Sequence, residues 1–355
     1  MDPSILIPLP DAIPVHYNFL NIFFISTFVL HILLVNVMLG TCIIALIKSI
    51  TGKEQDIFQA KEVSLNLPYA IAFAVNMGVA PLLFIQVLYG SFIYTSSVLM
   101  GWYWLMIIPI LIIAYYSAYL FDFKFDSLGS ARNVVIFFCT LLLLFIAFLF
   151  VNNITLMLTP EKWTEYFTNP KGTILNLSEV TLIPRYLHFV FASLAVGGLS
   201  ISILGKIKHG KDPDHYSPMI FSGMKWFFYG TLVQVFIGAW FLMSLPKNIS
   251  SLFVGGNFFA TFLLVAGLVF ALIVLYSGFK EKVWTSSIMI FLLTIIMVLM
   301  RDIVRTAYLK PYFSLSDLKI EPQYSPLIFF LISIVIGISI IAYMLRLVAT
   351  RKKEA

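Results

Sequence analysis

Nine long apolar runs dominate this sequence and limit what it can fold into. Each is long enough to cross the hydrocarbon core of a bilayer as a helix, which takes about 20 residues. Charged residues make up 11% of the chain, against roughly 25% in ordinary soluble domains. The sequence therefore predicts an all-α, polytopic membrane protein with nine transmembrane helices. The runs lie near residues 18–48, 66–95, 101–122, 133–157, 181–207, 217–244, 253–279, 284–308 and 325–348.

Lysine and arginine set the expected orientation. An odd number of spans places the two termini on opposite sides of the membrane. Fourteen Lys and Arg residues then fall on the side that holds the C-terminal tail and eight on the other, with Lys225 inside a span left uncounted. The positive-inside rule predicts an outer N-terminus and an inner C-terminus. We interpret the net charge of +6 as a topology signal, and no nucleic-acid partner is expected.

The pattern divides the chain into three parts. Residues 1–17 are predicted to form a surface segment, because four prolines among the first fifteen residues disfavour a continuous helix. The same residues lack the basic region and cleavage site of a removed signal peptide. Residues 18–348 form the predicted transmembrane domain, and 349–355 a basic cytoplasmic tail. The expected location is the cytoplasmic (inner) membrane of a bacterium or archaeon, in contact with lipid.

Two histidines lie well inside apolar runs, His31 in the first and His188 in the fifth. An unpaired imidazole is costly in a membrane, so these residues mark candidate functional sites. An imidazole can hold a haem iron, and Arg185, one turn before His188, can meet a haem propionate. The alternative is a histidine that hydrogen-bonds a neighbouring helix, and the residue types leave both open. Cys42 and Cys139 form no CxxC or CxxCH motif, which argues against a zinc site or a covalently attached c-type haem.

The eighth run ends in a charge cluster, Arg301, Asp302 and Arg305. Asp302 can pair with either arginine, serve as a carboxylate ligand or carry protons. The arginines can bind propionates or a quinone carbonyl. The alternative is an interfacial cluster whose charges extend to water.

The first and fifth runs carry patterns that resemble one family. FVLHILLVNVMLG places His31 nine residues before Gly40, and YLHFVFASLAVGG places His188 ahead of an Ala-Ser pair. Both are similar to haem-ligand helices in the large, haem-bearing subunit (subunit I) of cytochrome bd-type quinol oxidases, which also has nine spans and an outer N-terminus. In that family the first-helix histidine is a haem ligand and the fifth-helix histidine ligates the low-spin b haem, with one residue fewer before the Ala-Ser pair.

The second and eighth runs follow the same order. GVAPLLFIQVLYG sets Gln86 four residues before Gly90, where the family has an acidic residue. KEKVW precedes the eighth run, as a basic, tryptophan-containing entry does in the family. The sequence from Asp302 to Arg305 is similar to the family's Glu-x-x-Arg, whose Glu is associated with a second b-type haem.

The resemblance implies a cofactor and the residues that bind it. Haem b is the expected cofactor, with His31 and His188 as axial ligands of separate haems. Arg185 is expected to orient a propionate. Asp302, with Arg301 and Arg305, is the expected second ligand or propionate site.

Three departures limit what the resemblance implies. Only LPKNISSLFVGGN joins the sixth and seventh runs, so the family's long quinol-binding loop and its quinol site are not carried over. The seventh run has no methionine to stand opposite His188. The acidic residues linked to proton delivery in the family's second and third helices are absent here. Because oxygen reduction needs protons at a buried site, we do not expect this chain to be an oxygen reductase.

We therefore expect a haem b-containing membrane subunit of a respiratory electron-transfer complex linked to quinone or quinol. The other expected partners are a second membrane subunit and a c-type cytochrome or other redox protein on the outer side. One alternative is a haem-free transporter or channel, in which His31, Asp302 and two amides, Asn76 and Gln86, line a path. Such amides more often bond a neighbouring helix than a substrate. A haem-free membrane anchor is the other alternative, and bound pigment separates the first hypothesis from both.

Overall fold

The computed structural model describes residues 3–354, and this part of the chain is helical with a single isolated β-bridge. Nine of the described helices are long and apolar enough to cross a membrane, which confirms the nine spans predicted from sequence. Residues 1, 2 and 355 lie outside the described part, as do the side chains at 349 and 351–354, and with them most of the predicted basic tail. The α-helices are α1 (Tyr17–Thr51), α2 (Glu54–Ser64), α3 (Leu67–Leu88), α4 (Gly90–Leu99), α5 (Gly101–Phe123), α6 (Arg132–Leu158), α7 (Leu182–Lys208), α8 (Pro213–Ser244), α9 (Lys247–Ser251), α10 (Phe258–Phe279), α11 (Val283–Leu309) and α12 (Tyr324–Glu354).

The second apolar run differs from its prediction as one span over 66–95. Helix α3 ends at Leu88, Tyr89 takes a non-helical conformation (φ −133°, ψ 34°), and α4 begins at Gly90. The side chain of Tyr89 is 2% exposed and packs on Phe313 from a loop after α11. Tertiary packing at the end of the bundle therefore breaks a run that is continuous in hydrophobicity.

Helix α1 lies at the centre of the bundle, in contact with α3, α6, α7 and α11. Its approach to α7 depends on two glycines, Gly40 and Gly197. A Cβ on Gly197 would lie 2.6 Å from the Cα of Gly40, closer than real atoms come. Small residues at such crossings let membrane helices pack backbone against backbone.

The helices alternate in direction through the bundle. Helices α1 and α7 run parallel, joined by a hydrogen bond of 2.9 Å from the Ser193 hydroxyl to Asn36 Oδ1. Helix α11 runs antiparallel to α1, since Arg301 stacks on Phe28 and Arg305 on Phe24. We name the end of the bundle where α1 begins the N-side and the opposite end the C-side.

A cap of short segments covers the N-side. The backbone N–H of Ile13 donates to the Lys319 carbonyl at 2.8 Å, which ties the N-terminal segment to the linker before α12. The Tyr312 hydroxyl donates to Glu161, and Trp163, 2% exposed, fills the space beneath. Helix α12 follows this cap and has no buried residue in its apolar window.

Candidate functional site

His31 makes two contacts with α3, a hydrogen bond from its ring and close packing of the ring on a glycine. Its Nδ1 lies 3.0 Å from the backbone carbonyl of Ala74. A carbonyl only accepts hydrogen bonds, so Nδ1 carries the proton and Nε2 keeps a free lone pair. The ring rests on Gly78, where a Cβ would lie 2.8 Å from its Cε1. This hydrogen bond to a backbone carbonyl is the arrangement by which proteins fix the tautomer and orientation of metal-binding imidazoles.

His188 has a different environment between α7 and α8. Its ring faces Gly238, where a Cβ would lie 3.3 Å from Cε1, and its Nδ1 is buried without a hydrogen-bond partner among the described residues. Gln234, one turn from Gly238 along α8, also has a buried Oε1 with no partner. The α7 imidazole therefore has an unused ring nitrogen, and α8 carries an unused amide acceptor one turn from the glycine that the imidazole faces.

The two imidazoles lie at one depth in the bundle. His31 precedes Asn36 by five residues, and His188 precedes Ser193 by five. Because α1 and α7 are parallel and bonded at that pair, both histidines lie about 7.5 Å nearer the N-side than this hydrogen bond.

Two arginines of α11 stack on aromatic rings of α1, nearer the N-side than the histidines. The guanidinium of Arg301 lies 4.3 Å from the centroid of Phe28, three residues before the α1 histidine. That of Arg305 lies 4.6 Å from Phe24 and 4.5 Å from Tyr89. These cation–π contacts hold the two cations roughly one and two helical turns above the imidazoles.

The third arginine belongs to α7. Arg185 is 5% exposed, and its guanidinium lies 4.9 Å from the ring of Phe241 on α8. It stands three residues before His188, which puts the two side chains on the same face of α7. Glu179, the nearest carboxylate on the loop before α7, is bound by the backbone N–H and hydroxyl of Thr181.

One small cavity, with room for about a single water molecule, joins the three arginines. The donors Nε and Nη2 of Arg185, and Nε and Nη1 of Arg305, are buried and have no acceptor among the described residues. A buried donor without an acceptor costs about 1–3 kcal/mol, and more when it is charged. The cavity therefore has the chemistry of an anion site. Its lining consists of Ile154, Met157, Leu158, Arg185, Arg301 and Arg305.

Asp302 is the one carboxylate of the described residues that pairs with this cluster. Sequence reasoning left open which arginine it meets, and the structure pairs it with Arg305. Residues three apart on a helix face one another, whereas adjacent residues do not. Asp302 also lines a groove between α1 and α11, together with Phe24, Ile25, Phe28, Val298, Arg301 and Arg305.

The structure brings the three predicted arginines together and leaves the two predicted histidines apart from each other. Arg185, Arg301 and Arg305 share the cavity, while His31 and His188 face α3 and α8 on opposite flanks. Sequence reasoning missed the aromatic partners on α1. Their spacing of four residues, ahead of His31 in FFISTFVLH, puts them on one helix face and could have indicated them.

The arginine cluster suits an anionic ligand, because three guanidiniums stand against the single carboxylate of Asp302 in the described part of the chain. No group of three or more His, Cys, Asp or Glu side chains in that part could hold a metal ion. The bd-type resemblance rests on the residues quoted above, because no protein-family model and no curated protein sequence matches this chain.

Proposed function

We propose that this chain is a haem b-bearing membrane subunit that carries electrons between the quinone pool and a redox partner. His31 and His188 would be axial ligands of two haems, and Arg185, Arg301 and Arg305 would bind their propionates. One observation carries the proposal. Two imidazoles lie at the same depth, and three arginines, two of them with unpaired buried donors, stand one to two turns nearer the N-side.

The ligand chemistry supports this function at His31 more strongly than at His188. The bond from Nδ1 to the Ala74 carbonyl leaves Nε2 as the coordinating atom and raises the basicity of the imidazole. His188 lacks such a partner. Gln234 stands one turn from Gly238 on α8, and its unpaired Oε1 is a candidate acceptor for that ring nitrogen.

The arginine cavity supports binding of the carboxylate arms. Each propionate that accepts from Arg185 or Arg305 would remove an unpaired buried donor, and this gain would offset part of the cost of taking the carboxylate out of water. The cavity has room for only about one water molecule. Binding of the propionates and of the ring would therefore require the surrounding helices to part.

Bound haem would supply one-electron chemistry, and the protein would set its potential and surroundings. The charges of the arginines, of Asp302 and of the propionates would together shift the potential of a nearby iron. The N-side cap contains the buried Trp163 and the hydrogen bond from Ile13 to Lys319. A c-type cytochrome or other redox protein would approach over this cap, and a second membrane subunit would complete the complex.

Oxygen reduction is not part of the proposed activity. Helix α3 has Gln86 where the bd-type pattern has an acidic residue, and the apolar stretch of α5 offers no carboxylate. Asp302 is engaged by Arg305. Electron transfer without proton delivery to a buried site needs none of these groups.

A reduced-minus-oxidised absorption spectrum of the purified protein, expressed with haem supplied, tests the proposal. We expect b-type Soret and α bands, and loss of about half the bound haem in His31→Ala and in His188→Ala, because each imidazole serves one site. His16→Ala, which changes a histidine at the start of α1, is the matched control and should keep the full spectrum. A colourless protein that takes up a solute in proteoliposomes would contradict the proposal and favour the transporter alternative.

A further inference from the structure

Helix α3 presents an unpartnered stripe on the outside of the bundle. The stripe repeats at intervals of four and three residues, which is the spacing by which two helices pack side by side with a left-handed crossing. Four of its six side chains are large, apolar and between 43% and 64% exposed. The stripe consists of Tyr69, Phe73, Asn76, Ala80, Leu83 and Val87.

Asn76 is the one polar residue of the stripe, and it is exposed. Its Nδ2 donates to the carbonyl of Ala72 at 2.8 Å, and its Oδ1 has no partner among the described residues. Two residues away, Ala74 binds the ring of His31, so the amide lies at the depth of the candidate site. In lipid no water satisfies such an acceptor. A protein surface that offers a donor at this depth is therefore a better neighbour for this stripe than acyl chains.

The amide is self-complementary, because it carries both a donor and an acceptor. Two copies related by a two-fold axis along the membrane normal place their Asn76 side chains at the same depth. Ala72 and Ala80 stand one turn to either side, and small residues there let two helices approach closely. A single Asn within an apolar stripe is also a device that fixes the register of paired helices.

We propose that the α3 stripe is a homodimer interface in the membrane, in which the Asn76 amides of two copies hydrogen-bond each other. The inference does not depend on the proposed haem sites. It assigns a role to Asn76, which the transporter alternative placed along a transport path. The dimer would leave both histidines on the inner side of α3, away from the contact.

Cysteine crosslinking of the full chain in native membranes tests the interface. The native Cys42 and Cys139 are fully buried, so only introduced cysteines should form disulfides between two copies. Phe73→Cys and Leu83→Cys should each give a disulfide-linked dimer of the chain with itself. Leu268→Cys on α10, 52% exposed, is the matched control and should remain monomeric.

The amide is tested separately by the strength of dimerisation in lipid vesicles, measured by energy transfer between labelled copies. Asn76→Leu should weaken the dimer by about tenfold, since one interhelical hydrogen bond is lost. Asn76→Gln, which keeps an amide, should recover part of this loss. Gln86→Leu removes the other amide of α3 away from the stripe and should leave the dimer unchanged. A monomeric chain, crosslinks only to a different polypeptide, or an unaltered dimer in Asn76→Leu would each overturn the proposal.

Discussion

At the C-side of the bundle the buried carboxylate of Glu62 has two partners, whereas at the N-side three arginines have one carboxylate partner between them. Glu62 accepts from Lys208 at 2.5 Å and from the Tyr216 hydroxyl at 3.1 Å. The N-side has the pair of Asp302 with Arg305 and four arginine donors left without acceptors. Both ends bury charge, and the Glu62 carboxylate has its partners whereas the arginine cluster keeps unpaired donors. The C-side has one unpaired guanidinium donor of its own, Nε of Arg132.

The difference separates buried charge that the fold itself pairs from buried charge that the proposed cofactor would pair. A buried ion pair with its hydrogen bonds made needs nothing further, and removal of one partner leaves the other uncompensated. Guanidinium donors that are buried without an acceptor cost free energy in the unliganded protein. Glu62 therefore lets α2 hold the end of α7 and the start of α8 together. At the N-side, an anionic cofactor would supply the acceptors that the arginine donors lack.

Removal of Lys208 should have the largest effect on stability. Lys208→Ala leaves the Glu62 carboxylate with only Tyr216, and we expect a loss of about 2–3 kcal/mol in the free energy of unfolding, somewhat less than for a fully buried pair. Unfolding in detergent micelles gives the measurement. Lys206→Ala, an exposed lysine of the same helix, is the control. Equal stability of the two variants would contradict the assigned role of the pair.

The next effect in size comes from crowding a histidine. In Gly78→Ala the new methyl group would lie 2.8 Å from the His31 ring, and we expect a loss of about 2 kcal/mol together with loss of the haem bound there. Gly205→Ala on the C-side places its methyl group at the same 2.8 Å from Ile220. It should cost similar stability and leave the haem spectrum unchanged. Similar spectra for both variants would show that His31 has no special role.

Removal of an unpaired arginine should act in the opposite direction. We expect Arg185→Leu to raise the free energy of unfolding of haem-free protein by about 1 kcal/mol, because relief of two unpaired donors exceeds the lost contact with Phe241. Haem affinity should fall in the same variant. Arg185→Lys keeps the charge and serves as the control. If Arg185→Leu destabilises the haem-free protein, the N-side charge is structural, as at the C-side.

Asp56, at the C-side, gives the smallest and pH-dependent effect. Partial burial alone would raise its pKa, but hydrogen bonds from Lys48 and Thr51 outweigh it and hold the pKa below the ordinary 3.8. The ionised carboxylate therefore adds stability above that value, and the contribution is lost as pH falls through the folded-state pKa. Thermal unfolding between about pH 6 and pH 3 should show a gap between the native chain and Asp56→Asn that closes toward acid. A gap independent of pH would exclude this carboxylate as its source.

Much of the fold could be predicted from sequence, because a bilayer leaves a long apolar run few structures other than a helix. The break at Tyr89 could not, since it follows from packing against Phe313 rather than from local composition. Helix α2 was also missed. Its hydrophobic pattern is short. The burial of its residues, among them Glu62, depends on contacts with α7 and α8 that the local sequence does not show.

The residues of the candidate site could be predicted from sequence, but their positions relative to one another could not. Rarity of charge and imidazole in membrane helices singled out His31, His188 and the arginines. Their common depth depends on the contact of Asn36 with Ser193, which no local pattern encodes. The lack of acceptors around Arg185 is likewise a property of what surrounds it.

The most direct test is a density map of the full chain purified with haem supplied during expression. The account predicts two flat groups bound at Nε2 of His31 and of His188, with carboxylates on Arg185, Arg301 and Arg305. Side chains or lipid alone against both imidazoles, with the arginine cavity empty in a map that resolves these side chains, would contradict it.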